Sequence, residues 1–198
     1  MLSSAIEAPG IELCSVEIAR DTRDDLRVQL GEFSQKVDMI VTTGGISVGA
    51  EDHVKPALAE LSADIAFSGV ALKPGKPVSF GHVGRAFWLG LPGNPLSAFV
   101  TWQIFGAALC RFLSGESQRP ARRRHVVLQH ALHHKPGRCE LRLARLTGFD
   151  SAGREIADFA EATHSGRVSL LPEMDGLLFI PADTEELPCG ALVEFHPF

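Results

Sequence analysis

Thr42-Thr43-Gly44-Gly45-Ile46-Ser47-Val48-Gly49, with Asp52 three residues on, follows the short apolar run Val37-Asp38-Met39-Ile40-Val41 and precedes a segment with helical spacing. A β-branched apolar run of that length predicts a buried strand of a parallel sheet. The helix is expected to begin near Glu51 or Asp52, with Pro56 in or near its first turn and Ala57, Leu58 and Leu61 forming one apolar stripe. Gly44, Gly45 and Gly49 between them allow positive φ and a close backbone approach to a ligand. Free amides at a helix start then face an anion. Ser47 and the two threonines add neutral hydroxyl donors. Asp52 is negative and would repel a phosphate unless a cation stands between them, which suggests Mg²⁺, a substrate amine or acid/base work. Plain helix N-capping by Asp52 is the competing reading, because aspartate is favoured there on capping grounds alone.

The rest of the composition narrows the class. A chain of 198 residues, 45% hydrophobic and 22% charged, is long enough for one medium domain or two small ones. Its net charge of −5 and isoelectric point near 5.9 provide no basic field for nucleic acid, and Arg122-Arg123-Arg124 is a short local patch. The four cysteines, Cys14, Cys110, Cys139 and Cys189, stand far apart without CxxC spacing. They read as reduced thiols of a cytoplasmic protein, two of them within apolar runs. The longest apolar stretch, Leu96 to Leu113, contains Gln103 and Arg111 and reads as too short and too interrupted for a bilayer. No signal peptide is visible, so neither a membrane nor nucleic acid is an expected partner.

Strand and helix signals alternate up to about Gly115 and then stop. Ile11 to Ile18 reads as a strand and Asp21-Thr22 as a helix cap, with Leu26, Leu30 and Phe33 following at helical spacing. After the Val37 strand and the Asp52 helix comes a strand over Ile65 to Leu72. This βαβαβ order predicts a three-layer, open, mainly parallel sheet with ligands at the carboxyl ends of its strands. Val78 to Gly81 and Ala86 to Leu89 form a hairpin about Gly84-Arg85, and Pro95 opens a long helix to about Leu113. Residues 1–117 and 118–198 are therefore expected to form separate domains. The second shows strand signals near His125 to Leu132, Cys139 to Leu146, Gly176 to Ile180 and Ala191 to Phe195, and reads as a small β-barrel or sandwich. Ser165 to Glu173 reads as one or two helical turns. Adjacent His133 and His134 beside the Pro136-Gly137 turn are read as solvated rather than metal-ligating.

Two further loops fall at strand ends. In Lys73-Pro74-Gly75-Lys76-Pro77 the prolines stiffen the backbone and remove amide donors, so two ammonium groups project from a nearly fixed loop. Such a pair suits phosphate or a metal oxoanion, and a surface turn with two solvated lysines is the alternative. In Leu91-Pro92-Gly93-Asn94-Pro95, Asn94 is the expected N-cap, Pro95 the first helical residue, and Ser97 lies in the first turn.

Together, Thr42 to Asp52, Lys73 to Pro77 and Gly90 to Ser97 resemble, in order and spacing, the TTGGxSxGxxD, KPGKP and GLPGNPxS motifs of the molybdopterin molybdenumtransferases, the MoeA and gephyrin E-domain family. Pro136-Gly137-Arg138, Ser165-Gly166-Arg167 and Asp175-Gly176-Leu177 are similar to landmarks of that family's C-terminal β-domain. The resemblance implies a MogA-like α/β domain followed by that barrel. It also implies an enzyme of molybdenum cofactor biosynthesis that inserts molybdate into adenylylated molybdopterin and releases AMP with Mg²⁺.

By position, Asp52 would be the catalytic or Mg²⁺-binding carboxylate. Thr43, Gly44, Gly45, Ser47, Gly49, Pro92, Gly93, Asn94, Pro95 and Ser97 would bind the pterin substrate. Lys73 and Lys76 would receive molybdate, with Arg138, Ser165 and Arg167 completing its pocket. Family members carry further N-terminal domains, so the resemblance makes this chain the C-terminal part of a larger enzyme, lacking the first strand of its α/β domain. It further implies a homodimer, and either a truncated form that only binds ligand or a partner that supplies the missing domains. Two alternatives are a nucleotidyl-transferring relative of the molybdopterin adenylyltransferases and a non-catalytic, gephyrin-like scaffold. No aromatic-rich groove for a peptide is recognisable from the sequence.

Overall fold

The computed structural model describes residues 1–7, 10–20, 22–46, 52–116, 123–160 and 167–198, with Arg167 described by its backbone alone. The chain divides into two compact units, residues 1–70 with 75–117, and residues 71–74 with 118–198.

The first unit contains α1 (Leu2–Ile6), α2 (Arg23–Phe33), β1 (Met39–Thr43), α3 (Val54–Glu60) and β2 (Asp64–Ser68). After β3 (Leu72–Lys73), which belongs to the second unit, it continues with β4 (Ser79–Val83), β5 (Ala86–Leu91) and α4 (Pro95–Leu113). Thr22 caps α2 by accepting from the Asp25 amide at 3.4 Å, and Leu26 and Leu30 form its buried stripe. The sheet runs β1-β5-β4-β2 with helices on both faces. Ile40, Val83, Ala86 and Trp88 bury one face against Leu26 and Leu30 of α2 and Ala57 and Leu58 of α3. Val78, Leu89 and Leu91 bury the other against Ala98, Trp102 and Cys110 of α4.

This three-layer α/β arrangement matches the expected class, and the sheet itself is mixed. Only β1 and β5 are parallel neighbours, while β2–β4 and β4–β5 are antiparallel. The strand expected over Ile65 to Leu72 is shorter and breaks in two, since β2 ends at Ser68 and β3 pairs elsewhere. The segment Ile11 to Ile18, expected as a strand, is not one. It has no ladder partner among the described residues, and Ile18 is 97% exposed. Alternation of side chains supplies a strand's faces but not its backbone partner, and without one the segment does not become a strand.

The inner edge of β1 is fixed by two bonds, Phe87 N–H to the Asp38 carbonyl at 2.9 Å and Gly44 N–H to the Leu91 carbonyl at 3.1 Å. Even-numbered residues of β1 therefore face β5, and the N–H and C=O groups of Met39, Val41 and Thr43 point away from it. No strand pairs with that outer edge among the described residues.

The helix α4 is a continuous 19 residues with a mean hydropathy of 1.4 in its most apolar window, long and apolar enough to cross a membrane, which corrects the expectation of too short a segment. Its apolar face includes Leu96, Ala98, Val100, Trp102 and Cys110, all buried. Trp102–Gly106 winds as a π turn, and the Trp102 indole donates to the Ala5 carbonyl at 3.0 Å. The sheet also gathers aromatic rings that the sequence scatters. Phe80 stacks on Phe87 at 5.8 Å, with Phe67, Phe105, Phe112 and His82 joining them at 4.3 to 6.1 Å between ring centroids.

The second unit is built of β3, β6 (Arg124–Leu128), β7 (Leu132–His133), β8 (Cys139–Phe149), β9 (Glu155–Phe159), β10 (Gly176–Ile180), β11 (Glu186–Leu187) and β12 (Leu192–Pro197). The ladder β8-β10-β12-β6-β9 returns to β8, which closes a five-stranded barrel, and β3 lies parallel beside β8. Closure leaves no free edge within the ring. Val126, Leu128, Ala144, Ala157, Leu178, Ile180, Val193 and Phe195 fill it. A 3₁₀ turn at Arg167–Glu173 falls where helical turns are expected, and β9 is a strand outside the segments expected from sequence.

Gly90 shows how tightly the first unit is packed, since a Cβ there would lie 2.5 Å from Trp88 Cζ2 and 3.1 Å from Ile46. Gly90→Ala is expected to cost about 1–3 kcal/mol in urea denaturation. All four cysteines are free thiols. Burial pushes the Cys110 and Cys139 thiols up, and the Glu194 carboxylate adds to the shift at Cys139. Brief iodoacetamide treatment at neutral pH is expected to label exposed Cys14 and Cys189 first, with Cys110 labelled only after denaturation, as read by peptide mass spectrometry.

Candidate functional site

The parallel pairing of β1 and β5 sets Thr42 opposite Gly90 and Thr43 opposite Leu91, so their carboxyl ends deliver two loops side by side. In the first loop Gly44 and Gly45 adopt φ of +79° and +64°, values that an L side chain rarely takes. The second loop touches the first through the backbone, since a Cβ built on Gly93 would stand 3.2 Å from the Gly44 Cα. A Cβ on Gly45 would meet Val54 at 2.8 Å, so this glycine also lets the loop lie against the start of α3. The result is a patch of bare backbone at the end of two neighbouring strands.

Around that patch the polar groups divide into structural and available ones. The Thr42 hydroxyl accepts from the indole N–H of fully buried Trp88 at 3.1 Å, which anchors the strand end. Thr43, Gly93 and Pro95 are exposed, Gly44 and Gly45 are half-buried, and Pro92 is buried. Asn94 is the N-cap of α4, as its position suggests. Its Oδ1 accepts from the Ser97 amide at 3.1 Å and from the Ser97 hydroxyl at 3.2 Å. Ser97 is thereby drawn into the cap.

Asp52 is half-buried and precedes the helix, which begins at Val54 with His53 in the cap position. The expectation of a helix starting near Glu51 or Asp52, and with it the N-cap reading of Asp52, gives way to a carboxylate that lies ahead of the cap. Ser47 and Gly49 lie outside the described residues. Among the described residues no three His, Cys, Asp or Glu side chains come together to hold a metal. A single carboxylate fits only an ion that brings most of its own oxygen ligands, as Mg²⁺ does when it arrives with phosphate and water.

The lysine loop divides between the two units. Gly75, Lys76 and Pro77 belong to the first, where Val70 N–H donates to the Lys76 carbonyl and Val78 N–H to the Gly75 carbonyl. The Lys76 side chain is exposed. Lys73 belongs to the second unit, opposite Glu140 in the β3–β8 ladder, and its Nζ lies 3.3 Å from Glu140 Oε2. Glu140 is buried and also meets Arg142 Nε at 3.1 Å. His134, expected to be solvated, is buried here. Its Nδ1 lies 2.8 Å from the Thr184 carbonyl and its Nε2 3.6 Å from Glu140. The reason is the short β7–β11 ladder, which carries His133 outward and turns the next residue inward.

Arg138 is exposed in its turn, beside Gly137 at φ +119°. Ser165 lies outside the described residues, and Arg167 opens the 3₁₀ turn. The Trp88–Thr42 bond and the Glu140–Arg142 group are not among the sequence expectations. The one sequence signal of the second is the pair of charges Glu140 and Arg142 at alternate positions of one strand.

Comparison with known proteins agrees with this geometry. Residues 1–111 match the family described as "Probable molybdopterin binding domain", and residues 125–198 match "MoeA C-terminal region (domain IV)". The fold and its paired glycine loops thus define a molybdopterin-binding-type α/β domain joined to a MoeA-type barrel. The chain belongs to the molybdopterin molybdenumtransferase (MoeA) family. It is 31% identical over 98% of its length to molybdopterin molybdenumtransferase 2 of Mycobacterium tuberculosis, covering 48% of that protein. It is 27% identical over its whole length to the molybdenum cofactor synthesis protein cinnamon of Drosophila melanogaster, covering 33% of it. A MoeA crystal structure from Pyrococcus horikosii superposes with a TM-score of 0.70 at 24% identity, over 90% of this chain and 42% of that one. The chain therefore spans half or less of the length of these relatives.

Asn94→Ala removes the acceptor for both Ser97 donors and is expected to lower stability by about 1 kcal/mol, read as a shifted urea midpoint with an unchanged slope.

Proposed function

We propose that this chain takes part in molybdenum cofactor biosynthesis, binding adenylylated molybdopterin and molybdate as a molybdopterin molybdenumtransferase does. The reaction joins molybdenum to the pterin dithiolene and releases AMP. The observation that carries the reading is the backbone contact between Gly44 and Gly93, which sets two glycine loops side by side at the ends of parallel strands.

In this reading Thr43, Gly44, Gly45, Ser47, Gly49, Pro92, Gly93, Asn94, Pro95 and Ser97 bind the substrate, the glycines letting it approach the backbone closely. Lys73 and Lys76, with Arg138, Ser165 and Arg167, receive molybdate. A dianion whose oxygens accept several hydrogen bonds is matched by ammonium and guanidinium donors. Asp52 is the catalytic carboxylate and would hold Mg²⁺, which on binding would offset phosphate charge at the bond that breaks. A homodimer of cytoplasmic chains, working with a partner that supplies further domains, completes the proposal. It predicts a solution mass twice the 21.3 kDa of one chain by light scattering.

A scaffold function is the second reading, favoured by the aromatic row about Phe80 and Phe87. Binding of an apolar peptide that is indifferent to molybdate would support it.

Isothermal titration of molybdate and of adenylylated molybdopterin decides the main reading. Lys73→Ala with Lys76→Ala is expected to weaken molybdate binding by about 1.5–3 kcal/mol for each ammonium donor removed. Asp52→Ala is expected to abolish the Mg²⁺ dependence of pterin binding while leaving molybdate affinity nearly unchanged. Unaltered molybdate affinity in the lysine-free form would remove the oxoanion role.

A further inference from the structure

We infer that Glu140 is a positioning residue for Lys73, fixing its ammonium from within the second unit so that one of the loop's two lysines is a pre-set anion receptor. The consequence for molybdate rests on the function proposed above, while the positioning stands on the geometry alone.

The Glu140 side chain is 1% exposed, a carboxylate that burial would penalise severely without partners. It is gripped from both oxygens. Oε1 accepts from Arg142 Nε at 3.1 Å, and Oε2 lies 3.3 Å from Lys73 Nζ and 3.6 Å from His134 Nε2. Arg142 is itself anchored, donating through a terminal nitrogen to the His133 carbonyl at 2.6 Å and lying 5.7 Å from the centre of the Phe159 ring. His134 is held by its Nδ1–H, which donates to the Thr184 carbonyl. The carboxylate therefore has one orientation, and strand pairing sets Lys73 directly opposite it.

Of the two cations described beside the carboxylate, Arg142 is buried, and Lys73, with a side chain 43% exposed, reaches solvent. An ammonium has three donors. One is directed to Glu140, which leaves the others for an external acceptor. The carboxylate that fixes this receptor is shielded from an approaching anion. Lys76, three residues on, is exposed and makes no ion pair with a described residue. The loop thus offers one fixed cation and one adaptable one, and fixing a donor in advance lowers the ordering cost of binding.

The test is NMR relaxation of the lysine ε-methylene groups in the full chain, combined with molybdate titration. In the wild-type protein the Lys73 ε-methylene is expected to be ordered and that of Lys76 mobile. Glu140→Gln should raise Lys73 mobility to the Lys76 level and weaken molybdate binding about tenfold, with Glu140→Asp intermediate in both. Equal mobility of the two lysines in the wild-type chain overturns the inference without any variant, so a Glu140→Gln chain that fails to fold does not protect it. Retained Lys73 order in folded Glu140→Gln also overturns it. Loss of that order in the variant, alongside a wild-type chain that ignores molybdate, supports the positioning and overturns the oxoanion reading.

Discussion

The parallel contact between β1 and β5 is the constraint on which the first unit turns. It sets the register that puts Thr43 beside Leu91, and from that register the close approach of the Gly44 and Gly93 backbones follows. A side chain on Gly93 would press on the Gly44 backbone, and positive φ at Gly44 and Gly45 bends the first loop across the strand end. Trp88 supports the arrangement from beneath, filling the core against α2 and α3 while its indole holds the Thr42 hydroxyl. Packing and site geometry here are one structure, since the largest of the fully buried side chains also pins the strand from which the loop departs.

In the second unit the organising element is electrostatic. A closed barrel with an apolar filling has few places for charge, yet β8 carries Glu140 and Arg142 on one side and buries both. They are tolerated because each has a partner of opposite sign or a carbonyl within reach. Removing one member would leave the others buried and uncompensated, so the group has to be present as a whole. Lys73 joins it only because β3 leaves the neighbouring segment and pairs with β8.

Local chemistry was legible in the sequence wherever the cause is local. Asn94 before Pro95 signals a capped helix, Gly84-Arg85 between apolar runs signals a hairpin, and both are found. The three motifs carry the family, and the α/β class followed by a barrel accompanies it. What depends on partners distant in sequence was not legible. Ile11 to Ile18 has the alternation of a strand and no neighbour to bond among the described residues, so it stays outside the sheet. The Lys73–Glu140 contact joins residues 67 positions apart, and no spacing rule reaches across that distance. The phenylalanines at 67, 80, 87, 105 and 112 lie on three strands and a helix, and only the folded sheet brings them into one row.

The outward-facing amides and carbonyls of Met39, Val41 and Thr43 have a consequence for how the protein behaves in bulk. A strand whose far side carries no ladder among the described residues is a template for further pairing, and the sheet can lengthen from molecule to molecule by the same bonds that hold β1 to β5. Colloidal behaviour is then governed by protein concentration and by whatever extended peptide reaches that rim first.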